Sequence, residues 1–249
     1  MATPTAPAAS AETATAPNTA NNPPERIAAA TMDLPSVALA ALPPSTVISY
    51  RLNGQERGLN YQASGELRWQ HNDTAYAMSL SVKAFLVGSR YWRSQGQITS
   101  AGLTPVKFSD SWRSERVAHF DQVQNRIVFS NNAPTAPLQP GAQDRLSLFM
   151  QLAGMLQAQP AAYPAGQLIS LQVAGTSDAE TWRFRVGEEE TLALPAGNLP
   201  ARRLVREPRE PRDSRIDIWL APTLAYLPVR IRITQDSGDR VDQQLSQMP

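Results

Sequence analysis

The sequence predicts a mainly β protein, with a large curved antiparallel sheet or half-open barrel of about 11–13 strands and one central α-helix in its concave face. Apolar and polar residues alternate along most of the chain after residue 45, as in strands with one buried face. One apolar stretch, at about 144–157, breaks this alternation and predicts the helix. About a dozen strands exceed what a flat, open, twisted sheet holds, so we expect curvature.

The strands are predicted from period-two patterns between turn-forming residues. Ile48, Tyr50 and Leu52 alternate with Ser49 and Arg51, which places the apolar side chains on one face. The run 188–190 is three consecutive glutamates, which favours a solvated turn. The same reasoning predicts further strands at 61–70, 76–83, 90–99, 103–112, 115–121, 125–130, 167–175, 180–187, 190–195, 200–207, 214–220, 227–235 and 240–246.

The predicted helix follows a loop that ends at Pro140 and Gly141. Asp144 is suited to cap its first turn, and Pro160 requires the helix to end before it. The segment is apolar on nearly every side, which is typical of a helix buried on most sides. It is too short to span a bilayer. We therefore expect it to pack into the concave face of the sheet.

Residues 1–44 are rich in Ala, Pro and Thr and are predicted to form a disordered tail or tether. Residues 45–249 are predicted to form a single domain. No apolar run reaches the ~20 residues of a membrane helix, and the first residues do not resemble a signal peptide. Either the protein is cytoplasmic, or a targeting segment preceded this sequence.

Composition argues against several function classes. A formal net charge of +1 does not favour nucleic-acid binding, and the absence of cysteine excludes thiolate chemistry. The chain has only two histidines, His71 and His119, which are far apart and are interpreted as structural. The sequence has no P-loop, nucleophile elbow or zincin motif. We therefore expect no catalytic residues, no metal site and no cofactor, and a monomer.

Two residue sets are candidate sites, although core packing and a self-neutralised surface are the simpler explanations of them. Arginines in the stretch 202–215 could bind phosphate or carboxylate groups, with Arg203 and Arg206 as the candidate anion ligands. Large apolar side chains could line a pocket for a lipid or another apolar ligand. They are Trp69, Phe108, Trp112, Leu146, Phe149, Met150, Ala153, Trp182 and Trp219.

Several short sequence segments, taken in order, resemble the bacterial DUF3108 family of unknown function over about residues 45–246. These segments are 94–98, 102–108, 144–147, 197–204, 216–221 and 227–231, together with Arg116, Phe120 and Asp121. The resemblance implies a sheet wrapped around a helix, similar to the half-barrels of periplasmic lipoprotein carriers. It also implies a periplasmic protein, or one anchored in the membrane and facing the periplasm through an N-terminal segment that this sequence lacks. It assigns no catalytic residue.

These observations lead to one preferred hypothesis and two alternatives. The preferred hypothesis is a non-enzymatic envelope protein that binds an apolar or amphipathic ligand, or a lipidated partner, in the concave face. The first alternative is a scaffold module that binds another envelope protein, which predicts a filled core and an exposed apolar or arginine-lined patch. The last is an envelope-glycan hydrolase, which would require a pair of carboxylates facing a cleft.

Overall fold

The computed structural model describes residues 41–84, 88–208 and 210–249. All of them belong to one compact unit. Most of the predicted tail, residues 1–40, lies outside the described residues. Ala41, Leu42 and Pro43 are buried, so the packed part of the chain begins upstream of the predicted boundary at residue 45.

The described residues form fifteen strands and one α-helix, α1, at Ser147–Ala158. Short 3₁₀ turns lie at Pro160–Ala162 and Pro222–Leu224. The strands are β1 Thr46–Glu56, β2 Leu59–His71, β3 Ala75–Ala84, β4 Gly88–Thr99, β5 Gly102–Ser111, β6 Glu115–Asp121, β7 Arg126–Phe129, β8 Ala136–Pro137, β9 Gln143–Asp144, β10 Leu168–Ala174, β11 Ala179–Leu194, β12 Gly197–Arg206, β13 Arg215–Ala221, β14 Leu227–Thr234 and β15 Arg240–Leu245.

All fifteen strands belong to one unclosed sheet, in the order β8-β7-β6-β5-β4-β3-β2-β1-β15-β14-β13-β12-β11-β10-β9. The chain starts in the middle at β1 and moves outward to the edge strand β8. It then restarts at the opposite edge, β9, and returns until β15 pairs with β1. Every pair is antiparallel except β9 with β10. The predicted mainly β fold with a large antiparallel sheet and a single helix is confirmed.

The two edges of the sheet must approach each other, because only residues 138–142 connect β8 to β9. Six Cα–Cα steps reach at most about 20 Å. We call the junction between these two edges the seam. Across it, the Gln172 Nε2 atom donates to the Pro137 carbonyl at 2.9 Å, and the Gln139 N–H donates to Gln172 Oε1 at 2.9 Å. The sheet therefore rolls up, and side-chain hydrogen bonds join its edges where no backbone ladder does.

Helix α1 begins three residues later than predicted and ends before Pro160, as expected. All ten residues from Ser147 to Leu156 are buried, which agrees with the apolar character of the segment on every side. The helix packs against β5, β9 and β14. It is therefore the interior layer around which the sheet is wrapped.

Strand β11 differs from the prediction. The sequence predicts two strands, 180–187 and 190–195, with a glutamate turn between them. The structure has one continuous strand, and the register with β12 shifts between Val186 and Glu189. The glutamate run is exposed but lies within this strand, because an irregularity in the pairing accommodates the break in alternation. The two-residue strands β8 and β9 were not predicted.

Candidate functional site

The concave side of the sheet is filled by α1 and by most of the predicted ligand-lining residues. Trp69, Met150 and Ala153 are completely buried, and Phe149 is the most exposed of the set that lies here, at 9%. The hydrophobic core includes eight of the nine predicted side chains, and seven of these lie on this side: Trp69, Phe108, Leu146, Phe149, Met150, Ala153 and Trp182. These residues pack against one another, as the core interpretation predicts.

Trp112 does not join this group. It follows the end of β5, where strand pairing no longer dictates the direction of a side chain, and 56% of its surface is exposed. The guanidinium of Arg113 lies 5.3 Å from its ring centroid.

Trp219 lies on the opposite face of the sheet from the helix. Its neighbour Ile218 pairs with Ile231 on the core side, so the alternation of β13 directs Trp219 outward. Trp219 pairs instead with Arg203 on β12 and Arg230 on β14. It is nevertheless only 3% exposed, because charged side chains cover it.

Three guanidinium groups surround the Trp219 indole ring. Those of Arg203, Arg230 and Arg232 lie 5.1, 4.9 and 5.6 Å from the ring centroid. The indole Nε1–H donates to Glu190 Oε1 at 2.6 Å. Contacts of a cation with an aromatic face are each worth about 0.5–2 kcal/mol, more where the pair is desolvated. The arrangement holds an indole and three cations in fixed positions on the outside of the sheet.

Two aspartates fix these arginines. Asp217 is buried and accepts hydrogen bonds from Arg203 and Arg215, and Asp242 accepts from Arg230 and Arg232. Burial alone would raise the pKa of Asp242, but the hydrogen bonds and charges of its two arginines outweigh burial and lower that pKa. The pKa of Arg230 is raised, mainly because Arg230 donates a hydrogen bond to Asp242.

We call this surface the arginine face and define it by Trp219, its carboxylates and the outward arginines of β12 to β15 and β1. The carboxylates are Asp217, Asp242 and Glu190, the last of which comes from β11. The arginines are Arg51, Arg203, Arg215, Arg230, Arg232 and Arg240. Six arginines against three carboxylates give this face a positive surplus of three charges.

The predicted anion ligands Arg203 and Arg206 do not form one site. Arg203 belongs to the arginine face, whereas Arg206 pairs with Phe184 and Ile216 on the core side. Arg206 is 3% exposed and donates to the Ser214 carbonyl at 2.6 Å and to Asp213 at 2.9 Å. Its guanidinium lies 4.4 Å from the Trp182 ring centroid. Both arginines are thus engaged within the protein, on opposite faces of β12.

A buried polar network connects the sheet to the start of α1. Asp144 Oδ1 accepts the N–H groups of Leu146 and Ser147, each at 2.8 Å, in the turn that leads into the helix. The N-cap residue itself is Leu146 and not Asp144, because the helix begins three residues later than predicted. Its Oδ2 accepts from Ser94 Oγ at 2.6 Å, and the Tyr76 hydroxyl lies 3.0 Å from the same Oγ. Burial raises the pKa of Asp144 to about 6, although these hydrogen bonds oppose the shift.

A shallow polar groove of about 650 Å³ crosses the outer face at the margin of the arginine face. A second depression, of about 240 Å³, lies near the seam beside Leu103 and Ala142. Neither is lined by a residue of α1. Within the described ranges, no cluster of three or more His, Asp or Glu side chains is arranged to hold a metal ion.

The fold and these surfaces define a β-barrel-like protein with a helix-filled interior and a charged exterior. The chain matches the family described as "Protein of unknown function (DUF3108)" over residues 47–245, and it belongs to that family. The resemblance drawn from the sequence is therefore confirmed.

Two solved structures were found similar to this chain at low identity. One is a β-barrel-like protein of the domain of unknown function DUF1849 from Brucella abortus, with a TM-score of 0.53 and 9% identity, covering 83% of this chain and 98% of that one. Another, a YmcC-like protein from Bacteroides fragilis, has a TM-score of 0.34 and 14% identity, covering 84% and 98%. No curated protein matches the sequence. In the described part of the chain, no helix combines the length and the apolar character needed to cross a membrane.

Proposed function

We propose that this protein is a non-enzymatic module of the cell envelope that binds an acidic partner protein through its arginine face. The observation that carries the proposal is the Trp219 indole held among three guanidinium groups on the side of the sheet away from the helix. Arginine side chains are among those most enriched at the energetic centres of protein interfaces, and here three of them cover the buried Trp219 ring. Here the sheet and two aspartates pre-order them, which lowers the entropic cost of binding.

The filled interior supports recognition on the outside. A ligand in the concave face would have to displace α1, whose first ten residues are buried. The helix is also tied to the sheet: Gln151 Oε1 accepts the Leu103 N–H at 2.8 Å, and Gln151 Nε2 donates to the Ala101 carbonyl at 3.1 Å. Removing such a helix would expose both apolar surface and unpaired polar groups.

The charge surplus indicates the chemistry of the partner. A face with three more arginines than carboxylates attracts acidic surfaces and accelerates encounter with them at low ionic strength. Arginine also binds carboxylates through two parallel hydrogen bonds. An acidic segment or surface on another envelope protein would therefore be its complement.

The non-enzymatic part of the proposal rests on the surroundings of Asp144, the carboxyl group whose pKa burial raises. Hydrolysis of a glycan would require a carboxyl group that faces an open cleft, with a second one about 5–10 Å away. Asp144 is instead completely buried, and its hydrogen bonds go to Ser94, Ser147 and the backbone of the helix start, which suits a structural role. The envelope setting rests on the family resemblance, with segment 1–44 as the proposed tether.

Photo-crosslinking in cells tests the proposal. A crosslinker at Gln244, which lies between Arg51 and Arg230, should trap one defined protein. The trapped amount should fall by about tenfold with Arg51→Glu, because the variant reverses one of the charges that attract an acidic partner. Lys83→Glu makes the same charge change at an exposed position on β3 and should leave the crosslink intact. A lipid adduct, or equal loss in both variants, would contradict the proposal.

A second candidate function is the binding of a lipid, or of a lipidated partner, inside the sheet. One observation favours it: side chains rather than a backbone ladder join the two edges of the sheet. Separation of these edges would give an apolar ligand a route to the core without breaking any strand pair. This candidate requires α1 to move, and it predicts a ligand that co-purifies with the protein.

A further inference from the structure

The polar groove at the margin of the arginine face is built from two rows of side chains that cross four strands. Strands β14, β15, β1 and β2 lie side by side, and their outward residues pair across the sheet. One row consists of Arg232, Asp242, Asn53 and Gln62, and the other contributes Thr234, Arg240 and Asn60. The groove between these rows has a volume of about 650 Å³.

Four polar side chains of the groove have hydrogen-bonding capacity that the protein does not use. The carboxamides of Asn53, Asn60 and Gln62 are exposed and have no hydrogen-bond partner among the described residues. The guanidinium of Arg240 is likewise exposed and unpaired within that part of the chain. Arg232, in contrast, donates to Asp242 at 3.1 Å. The groove thus presents three amides and one cation to a ligand.

Gly54 and Tyr61 also contribute to the lining of the groove, although alternation directs Tyr61 to the opposite face of β2 from Gln62. Gly54 pairs with Tyr61 across β1 and β2, and the Tyr61 ring lies directly against the Gly54 backbone. A Cβ atom at Gly54 would lie 2.0 Å from Tyr61 Cζ, so any other residue would force the ring away.

We infer that this groove binds a saccharide that carries a carboxylate. Each carboxamide offers donors and an acceptor together, which matches the paired hydroxyl groups of a sugar. Arg240 supplies a planar, permanently charged donor for a carboxylate. An apolar ligand would leave the three amides and the guanidinium desolvated without partners, which is costly. The occupant would be a glycan rather than a protein, so this inference goes beyond the proposed function.

The fixed negative charge of Asp242 narrows the choice of anion. Asp242 lies in the floor of the groove beside Arg232 and opposite Asn53. It would repel a doubly charged phosphate more strongly than a singly charged carboxylate. Arg240 is the cation left free to neutralise the ligand. A uronic acid satisfies both conditions, with one carboxylate and several hydroxyl groups on a single ring.

Titration of the full chain by NMR with digalacturonate tests the inference, with neutral galactobiose as the control sugar. Digalacturonate should bind with a dissociation constant on the order of 1 mM, as suits a shallow polar groove, and galactobiose several-fold more weakly. Gln62→Leu should weaken digalacturonate binding by about three- to tenfold, the effect of one or two lost hydrogen bonds. Arg240→Gln should bring digalacturonate down to the affinity of galactobiose.

Matched controls make the result specific to the groove. Gln70→Leu makes the same substitution on the same face of β2, and Arg183→Gln removes an exposed arginine on β11; neither residue lines the groove, and neither variant should change binding. Absence of digalacturonate binding, equal affinity for the two sugars, or equal losses in the control variants would overturn the inference. Arg51 does not line the groove, so Arg51→Glu should leave sugar binding unchanged. A negative crosslinking result would therefore count against the protein-binding proposal and not against this inference.

Discussion

Asp144 illustrates at the scale of one residue how a single carboxyl group can join the helix to the sheet. Its two oxygens accept hydrogen bonds from the start of α1 and from Ser94 on β4. The helix N-terminus favours a negative charge there, whereas burial disfavours it. Burial prevails, and the pKa of Asp144 rises to about 6.

This raised pKa predicts how stability depends on pH. The native state holds a proton on Asp144 up to about pH 6, whereas the unfolded chain releases it near pH 4. Because the native state binds more protons in this window, the contribution of Asp144 to stability is greatest below pH 4 and declines until about pH 6. Roughly two pKa units correspond to about 3 kcal/mol.

Asp144→Asn should remove this pH dependence, because an amide keeps the oxygen that accepts the Leu146 and Ser147 N–H groups but does not titrate. Denaturant unfolding between pH 4 and pH 7 should show the variant gaining stability relative to the native sequence by up to about 3 kcal/mol as pH rises. Asp73→Asn, in an exposed turn, should leave the pH profile unchanged. An Asp144→Asn profile parallel to that of the native sequence would show that Asp144 does not titrate in this window.

Part of the candidate site could be predicted from the alternation of side chains between the two faces of a strand. Ile216, Ile218 and Leu220 set the buried face of β13, so Trp219 lies on the other face, beside Asp217. The same alternation places Arg203 and Arg206 on opposite faces of β12. The grouping of Arg203 with Arg230 and Asp242 could not be predicted, because it depends on which strands are neighbours and on their register.

At the scale of elements, α1 is held by a polar contact with a turn as well as by apolar packing. The side chain of Gln151 bonds both the N–H of Leu103 and the carbonyl of Ala101 at the β4–β5 turn. Gly102 lies between them with φ +95, and a Cβ atom there would lie 2.3 Å from Gln151 Oε1. Glycine therefore allows both the turn conformation and the close approach of the helix.

Replacing Gln151 by methionine should destabilise the protein. Met has a similar length but cannot pair with the two backbone groups, and each buried group left unsatisfied costs about 1–3 kcal/mol. We expect a loss of about 2–4 kcal/mol in denaturant unfolding. Gln157→Met, at an exposed position of the same helix, should cost less than about 0.5 kcal/mol. Equal effects of the two substitutions would contradict the anchoring role of Gln151.

The long strands could be predicted from sequence because alternation follows from one buried face. Strands β8 and β9 could not, since two residues carry no periodic signal. The continuity of β11 was also missed, because the shifted register between Val186 and Glu189 interrupts the alternation without ending the strand. Its Glu190 then becomes the partner of Trp219, a contact for which the sequence carries no signal.

At the scale of the whole molecule, the sheet is wrapped around its own helix and is fastened at the seam by Gln172. Gln172 joins β10, beside one edge, to Pro137 and Gln139 at the other. The same seam region is supported by Gln143 of β9, which donates to the Leu103 carbonyl of β5 at 2.8 Å. The seam is therefore the part of the sheet that lacks backbone pairing between neighbours.

Gln172→Leu should loosen this seam without unfolding the rest of the sheet. Hydrogen exchange at residues 136–144 should become about tenfold faster, the effect of losing about 1.4 kcal/mol of local stability. Exchange in β1 and β15, at the centre of the sheet, should stay unchanged. Gln167→Leu, an exposed glutamine in the turn before β10, serves as the matched control. Faster exchange throughout the sheet would show that Gln172 supports the whole fold and not a local fastening.

Helix α1 fills the interior of the sheet, which leaves the outer face as the proposed binding surface. Native mass spectrometry of the gently purified full chain, combined with lipid extraction, measures whether the interior also holds a ligand. We expect the mass of the bare chain and no enriched lipid, for the native sequence and for Gln172→Leu alike. A stoichiometric apolar molecule bound to the native protein would contradict this expectation, and would show that the interior opens to hold a ligand.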